Sequence, residues 1–447
     1  MGNEISVDIL SKTWDIDKEL LTTLGYALDD AIDDSDDEDD GIEEEKCSET
    51  LERVRLDWAQ HVKKCIHEKS FSRKYRMSHN SFNHLVNILK PYLERNAAKA
   101  SRGKYIIPHI VVAIGTRYLA GEPYTALNDI ANVSTPSVYK LKNRFILALL
   151  QANALKIKLP DSAGEWENVR QGFQNVSSEN LFRGCIGSID GFFAPIQQPR
   201  VKDAKGNPMS FMSGHYGMFG LNCQAVCDAR ERFLFFGVVA PGKTNDNVAF
   251  EYCAHLKEII QSLPYGLFLV GDAAYTSNER MLTPMIGSQR LDPVNDAYNF
   301  YLSQVRIRIE MAFARLVTKW RILRAPLLGS LATISRTLMA CATMHNYVID
   351  NDGHNEHLQL GNDSGSNDFD FIVQNAPRGM MYLPTMPDLD GDNVTTHQLA
   401  TSHTVQASIL QVIEQLCIRR PRHNIERNGV GNGRRQTSIE ECFYAPT

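Results

Sequence analysis

Three acidic residues, far apart in the chain, have the types and surroundings needed to act together on a phosphodiester bond. Asp190 follows the apolar run Gly187–Ile189, Asp272 follows the run Leu267–Gly271, and Glu310 lies in a basic segment with helical spacing. If both runs are neighbouring strands, their aspartates converge on one edge of a sheet. Gathered carboxylates repel one another unless hard divalent cations neutralise them. The pattern therefore indicates a metal-dependent phosphodiesterase that acts on nucleic acid.

The alternative for either aspartate alone is an ordinary turn former at a strand end. Glu310 favours the catalytic interpretation, because it lies about 100° around the helix axis from the apolar Ile309. That position lets the side chain reach the rim of the sheet while the helix stays anchored. The predicted core-facing stripe of this helix is Val305, Ile309, Phe313, Leu316 and Trp320.

The helix around Glu310 is also rich in basic residues. Arg306 lies one turn before Glu310, so a simple ion pair between the two is one interpretation. The remaining basic residues exceed what one glutamate needs, and they suit a surface along which a phosphate backbone lies. A solvated basic face is the plain alternative. The candidate DNA contacts on this helix are Arg306, Arg315 and Lys319.

The length and charge of the chain set the frame for these residues. The 447 residues are enough for two or three domains, and 43% hydrophobic content fits a globular core. The net charge of −6 is uneven: Asp29–Glu45 holds twelve acidic and no basic residues, which leaves +6 elsewhere. Residues 1–50 are predicted to be a disordered acidic segment, and the folded part is mildly basic, as suits a polyanionic partner.

Residues 51–160 are predicted to be helical, with a helix-turn-helix at about 105–151. Pro108–Leu119, a short segment Tyr124–Ala131, and a longer one capped by Ser134 follow one another closely. An ordinary helical bundle with a solvated basic face explains the same pattern equally well. The candidate phosphate contacts on the last helix are Lys140, Lys142 and Arg144.

A different periodicity begins after a predicted linker at 158–180. Strand patterns and helical patterns alternate over 181–349, which predicts one mixed α/β domain. Residues 350–447 are predicted to be a largely disordered tail with a helical patch at Val405–Ile418. Basic clusters near Arg419 and Arg434 suit nuclear import or nucleic-acid binding, although solvated charge on a flexible tail fits too.

Several other classes of protein are disfavoured. The nine cysteines lack the paired spacing of a zinc site, and no apolar run approaches the ~18 residues of a membrane span. Met1–Ser6 matches the N-myristoylation pattern. One acyl chain without a polybasic signal anchors a protein only marginally, and acidic residues follow here, so a chance match is the favoured interpretation.

Residues of about 183–349 resemble the DDE endonuclease domain of PIF/Harbinger-type transposases, and the similarity extends upstream to about residue 70 through a helical region. Two departures are Ala273-Ala274 and Ala314, which replace residues more usual in the family and remove no metal ligand. The matching motifs are Ile189–Gly191, Pro241–Asp246, Gly271–Tyr275, Thr283-Pro284, Asn299, Arg306–Leu316, Trp320–Leu323 and His345-Asn346.

The resemblance implies an RNase H-like fold that binds Mg²⁺ or Mn²⁺. It implies that Asp190, Asp272 and Glu310 form the catalytic triad, and that Asp246 joins them in holding metal. By itself, Asp246 would also make a good N-cap for the helix that follows it.

The implied activity is hydrolysis of phosphodiester bonds at transposon ends, followed by strand transfer into target DNA. The implied partners are the terminal inverted repeats, target DNA and a separate Myb-like accessory protein, with homo-oligomerisation left open. The implied location is the nucleus, with a cytoplasmic pool. A domesticated, non-catalytic nuclear DNA-binding or scaffold protein, and a nuclease that acts on RNA, are the alternatives.

Overall fold

The computed structural model of the protein describes residues 56–94, 106–353 and 404–421. The acidic segment predicted at 1–50 lies outside the described residues, as does most of the tail predicted at 350–447. In the part that is described, no helix is long and apolar enough to cross a membrane.

A helical region comes first in the chain. Pro136 lies near the start of its last helix, and the Ser134 hydroxyl accepts a bond from the Ser137 N–H, as the sequence pattern predicts. The short helix before it ends at Asn132, in the left-handed conformation. The helices are α1 (Trp58–His67), α2 (Phe71–Tyr75), α3 (His79–Leu93), α4 (Pro108–Leu119), α5 (Tyr124–Ala131) and α6 (Thr135–Gln151).

The sheet mixes antiparallel and parallel strands. β1 pairs with β3 and β3 with β4, all antiparallel, whereas β5 lies parallel to both β1 and β6. The short β2 pairs with β3. The strands are β1 (Cys185–Pro195), β2 (Met212–Ser213), β3 (Met218–Cys227), β4 (Phe233–Pro241), β5 (Phe268–Val270) and β6 (Met281–Leu282).

Helices cover both faces of this sheet. On one face, Ile189 packs in a cluster with Ala249 and Leu256. On the other, Phe192 packs in a cluster with Ile309 and Leu338. The covering helices are α7 (Ala163–Val176), α8 (Asp246–Glu251), α9 (Ala254–Ser262), α10 (Pro293–Lys319) and α11 (Leu331–Asp352). A mixed sheet flanked by helices and preceded by a helical region confirms the predicted fold class.

Two predictions about local structure are wrong. The segment 158–180, predicted as a linker, contains α7, whose Phe173 is fully buried against Phe182 and Phe268. The helix that carries Glu310, which the spacing of apolar residues predicts over Ser303–Leu323, begins ten residues earlier, at Pro293. Asp292 caps α10 by accepting bonds from two backbone N–H groups, and Pro293 opens the helix.

The helical patch predicted in the tail is present as α12 (Thr404–Gln415). Its packing was not predicted: Ile409 and Ile413 are buried with Tyr298 and Leu302 of α10. The basic residues after it are also held, because Arg420 pairs with Asp296 at 3.2 Å. This piece of the tail is part of the folded body around the sheet.

Candidate active site

Asp190 and Asp272 lie side by side because of the register of two parallel strands. Ser188 of β1 pairs with Val270 of β5, and each aspartate follows its paired residue by two positions. Both aspartates therefore follow the same paired position of neighbouring strands, and the charge of Asp272 raises the pKa of Asp190, as expected for nearby carboxylates. Asp190 does not end its strand as predicted. It lies inside β1, opposite Ala225, because β3 continues the pairing to Pro195.

Asp246 reaches the same place from the start of α8. Its carboxylate lies over Gly191, where an added Cβ would overlap the Asp246 Oδ1 atom. Only glycine leaves this space beside Asp190. The alternative role of Asp246 as an N-cap is wrong: the cap is Asn245, whose side chain accepts a 2.9 Å bond from the Val248 N–H. The Asp246 carboxylate is thereby left for other contacts.

Glu310 stands on α10, which is fastened to β1 close to the aspartates. The Ser188 hydroxyl donates a 2.8 Å bond to the Arg306 carbonyl, one turn before Glu310. The Arg306 side chain in turn pairs with Glu310 at 2.5 Å, and each is less than a fifth exposed. The ion pair left open by the sequence therefore forms.

The three aspartates form one electrostatic cluster. Burial raises the pKa of Asp190 well above its usual range, and the charges of Asp272 and Asp246 raise it further. Burial also raises the pKa of Asp272, and Asp246 and Glu310 add to this while the Ala274 N–H and Arg306 oppose it. The pKa of Asp246 is raised by burial, against the hydrogen bonds of Asn222 and Gln224. A nearby cation would offset both the burial and the like charges that raise these pKa values.

These carboxylates supply the chemistry that Mg²⁺ or Mn²⁺ requires. Both ions prefer oxygen ligands, and Mg²⁺ keeps several waters, so a few protein carboxylates suffice. Over the described ranges, no three His, Cys, Asp or Glu side chains form a ready metal cage. Protein groups contact all four acids. The Gly191 N–H donates to Asp190 at 2.8 Å, and the Ala274 N–H donates to Asp272 at 2.9 Å. Asn222 and Gln224 donate to Asp246, and Arg306 pairs with Glu310. The oxygen donors are of the type that a hard cation prefers.

The basic residues of α10 serve the fold more than a ligand. Glu231, in the β3–β4 turn and 3% exposed at its side chain, pairs with Arg315 and with Arg308. Lys319 is 4% exposed. Arg315 and Lys319 were predicted as DNA contacts. The Arg315 side chain is 26% exposed and pairs with Glu231, whereas Lys319 is buried. The prediction for Arg306 meets the same difficulty, because its guanidinium faces Glu310.

The predicted phosphate contacts on α6 differ from one another. Lys140 is exposed, as the prediction requires. Lys142 is 4% exposed, and its ammonium lies 4.4 Å from the Tyr118 ring centre among three tyrosine rings. Burial lowers the pKa of Lys142 to about 8. Arg144 donates to the Leu93 carbonyl of α3. Of the three, Lys140 is the one placed to meet a phosphate.

Three polar side chains at the site were given no role by the sequence. Asn222 and Gln224 of β3 both donate to Asp246, and the Tyr275 hydroxyl donates to Gln224 at 2.7 Å. A signal was present, since two amides two positions apart interrupt an otherwise apolar strand. Amides in that pattern share one buried face, where each needs a partner.

The segment that holds these acids is similar to known proteins. Residues 189–346 match the family model described as "DDE superfamily endonuclease", a segment that holds all four acids. The chain is 23% identical over 323 residues to a Xenopus laevis protein named "Putative nuclease HARBI1". The aligned region covers 71% of this chain and 85% of the relative. No solved structure gives a significant match.

Proposed function

We propose that the protein is a metal-dependent DNA endonuclease of the transposase type, because residues 189–346 match the family model described as "DDE superfamily endonuclease". It would hydrolyse phosphodiester bonds at transposon ends and join the freed 3′ ends to target DNA. The observation that carries the proposal is the parallel register of β1 and β5, in which Asp190 and Asp272 each follow the paired residues Ser188 and Val270 by two positions.

In this proposal, Asp190, Asp246, Asp272 and Glu310 would hold Mg²⁺ or Mn²⁺. Bound divalent cations activate an attacking oxygen and stabilise the leaving one. The chain's own part is to gather the acids. The parallel strands set Asp190 beside Asp272, Gly191 admits Asp246, and the tie from Ser188 to α10 brings Glu310 within range. Glu310 becomes available when Arg306 turns away, for instance toward a phosphate of the bound strand.

The proposal extends to partners and location. DNA with terminal inverted repeats and target DNA are the proposed substrates, a Myb-like DNA-binding protein is the proposed accessory partner, and the nucleus is the proposed place of action. The exposed Lys140 of the helix-turn-helix region supports contact with a phosphate backbone. Arg419 and Arg420 lie at the end of the described tail, where they suit a receptor for nuclear import.

The deciding experiment is a cleavage assay with the purified full chain, supercoiled plasmid DNA and Mg²⁺ or Mn²⁺. Wild-type protein should nick the plasmid, and chelation should stop it. Asp272→Asn should lower the rate at least about 100-fold, the scale of losing one preorganised electrostatic group. Glu258→Gln, an exposed carboxylate on α9, is the control and should cut normally. Cleavage by Asp272→Asn at the wild-type rate would remove Asp272 from the mechanism.

One observation favours a second candidate, a DNA-binding protein of the same fold without cleavage activity. Arg306 pairs with Glu310. If that pair never opens, the site lacks its fourth acid. The candidate predicts that wild-type protein binds DNA but cuts none with either metal, and that Arg306→Gln does not restore cleavage.

A further inference from the structure

A network of neutral side chains stands behind Asp246. Asn222 donates to the Asp246 Oδ1 atom at 2.8 Å, and Gln224 donates to the same oxygen at 3.2 Å. Gln224 also donates to the side-chain oxygen Oδ1 of Asn222 at 2.9 Å. The Tyr275 hydroxyl donates to the side-chain oxygen Oε1 of Gln224 at 2.7 Å, and the Asn222 amide donates to the backbone carbonyl of Thr244 at 3.0 Å.

The direction of these bonds is fixed from Tyr275 inward. A phenol hydroxyl that donates to Gln224 Oε1 obliges the amide nitrogen of Gln224 to face Asp246 and Asn222. Both donor groups then converge on one carboxylate oxygen. Gln224 is fully buried and Tyr275 is 1% exposed, so water cannot replace any of these partners without a rearrangement.

The network holds Asp246 by hydrogen bonds from neutral groups, whereas Glu310 is held by an ion pair. Amide donors fix the position of a carboxylate without cancelling its formal charge, whereas Arg306 supplies a full positive charge to Glu310. Asp246 is therefore kept over Gly191, beside Asp190, and is still available to a cation. Among the described residues, no donor is found for the second Asp246 oxygen, Oδ2.

We propose that Gln224, Asn222 and Tyr275 are positioning residues that aim the Asp246 carboxylate at a divalent cation shared with Asp190. The inference rests on the metal-dependent function proposed above and assigns that site a second layer of residues. Partners of this kind around a ligand restrict its orientation, and their loss typically costs about 10–100-fold in metal affinity or activity.

A purely structural role is the alternative, because the same bonds tie β3 to the segment before α8. That role predicts that variants lose stability and bind metal normally once folded. Tyr275→Phe separates the two readings most cleanly. It removes one hydroxyl from a buried ring whose packing against Phe250 remains, and it frees the Gln224 amide to rotate.

The test measures binding of Mn²⁺ alone to the full chain by calorimetry, with thermal unfolding recorded for each protein. Gln224→Met should weaken Mn²⁺ binding about 10–100-fold and Tyr275→Phe less than that, on the scale of lost outer partners. Tyr298→Phe is the matched control. Its hydroxyl is also buried and bonded, to the Thr283 carbonyl, but it lies in the cluster under α12. It should alter stability without altering Mn²⁺ affinity.

The outcomes separate this inference from the function on which it rests. If wild-type protein binds Mn²⁺ and folded Tyr275→Phe and Gln224→Met bind it equally well, the positioning role is overturned while the metal site stands. If wild-type protein binds no Mn²⁺, the proposed function fails and the positioning role fails with it. Should Gln224→Met not fold, Tyr275→Phe alone decides between the two roles.

Discussion

Charges are arranged in opposite ways in two regions of the protein: the aspartate cluster beside β1 and the basic helices α6 and α10. Asp190, Asp246 and Asp272 gather like charges at the sheet, and the pKa of each is raised by burial first and, for Asp190 and Asp272, by the neighbouring acids as well. Several cations of α6 and α10 instead find partners inside the fold: Glu231 pairs with Arg315, and tyrosine rings surround Lys142. Lys140 of α6 is exposed.

This difference helps to separate ligand-binding residues from structural ones. Bringing like charges together is unfavourable, so a fold that gathers more carboxylates than Arg306 can neutralise is suited to receiving a cation from outside. A charge already matched by a buried partner contributes to stability or specificity of the fold, and using it on a ligand would leave that partner unpaired. Charge and helical spacing alone do not distinguish the two cases.

The largest effect should come from unpairing the arginines of α10. Glu231→Gln keeps the side-chain shape and removes the charge that Arg308 and Arg315 share. We expect a loss of about 2–3 kcal/mol in the free energy of unfolding, below the usual range for a buried pair because both arginines are a quarter exposed. Denaturant unfolding measures this loss.

The matched control is Glu251→Gln, which breaks the exposed pair with Lys257 and should cost less than about 1 kcal/mol. Equal losses at both positions would show that the α10 arginines are not structural. A second check is Arg315→Gln. If it weakened DNA binding and left stability unchanged, Arg315 would return to the DNA surface as first predicted.

A smaller effect, an increase in stability, should follow from removing one charge from the cluster of Asp190, Asp246 and Asp272. Because the folded pKa of Asp190 is raised, the metal-free protein is favoured below the ordinary aspartate pKa of about 4 and loses that contribution as pH rises through the folded pKa. Asp190→Asn cannot ionise there. In chelator, we expect its melting temperature to exceed that of the wild type progressively as pH rises from about 5 to 8.

Added Mg²⁺ should reverse that order at the upper end of the pH range, because it stabilises only the protein that retains the carboxylate. Asp129→Asn, an exposed aspartate of α5, serves as the control and should follow the wild type. A melting temperature of Asp190→Asn equal to that of the wild type at every pH would mean that the cluster is not repulsive.

The smallest effect should appear in the salt dependence of DNA binding. Lys140→Met removes an exposed charge of α6 and should reduce the slope of log affinity against log salt by about 1. Lys142→Met removes a buried charge and should leave that slope unchanged, because no phosphate reaches the tyrosine-lined site. Binding measured at several salt concentrations separates them. Equal reductions by both substitutions would contradict the structural role of Lys142.

Much of the architecture could be predicted from the sequence. The spacing of apolar residues and the capping residues located the helices α4, α5 and α6. Ser134 and Pro136, for example, are local signals whose effect does not depend on distant residues. The segment of α7 was missed: its apolar residues become a core-facing stripe only against Phe182 and Phe268. The start of α10 was missed for a similar reason, since Tyr298 and Leu302 are buried under the sheet and α12.

The sequence pointed to the acids of the candidate site and missed the neutral side chains that hold them. Asp190, Asp272 and Glu310 stood out because acids beside apolar runs are conspicuous in a sequence. Gln224 and Tyr275 did not, because a buried amide becomes meaningful only when its partner across the sheet is known. Lys142 and Lys319 were predicted as DNA contacts and are buried. The sequence gives the sign of a charge but not the group that faces it.

The sequence by itself determined which carboxylates are available, the strand and helix that carry each, and the order of elements along the chain. These properties depend on residue type and local spacing. Only the tertiary structure decided that Asp246 enters over Gly191, that Arg306 holds Glu310, and that Lys142 is enclosed by tyrosines. The physical reason is that pairing, burial and charge compensation depend on strand register and helix packing, which join residues tens of positions apart.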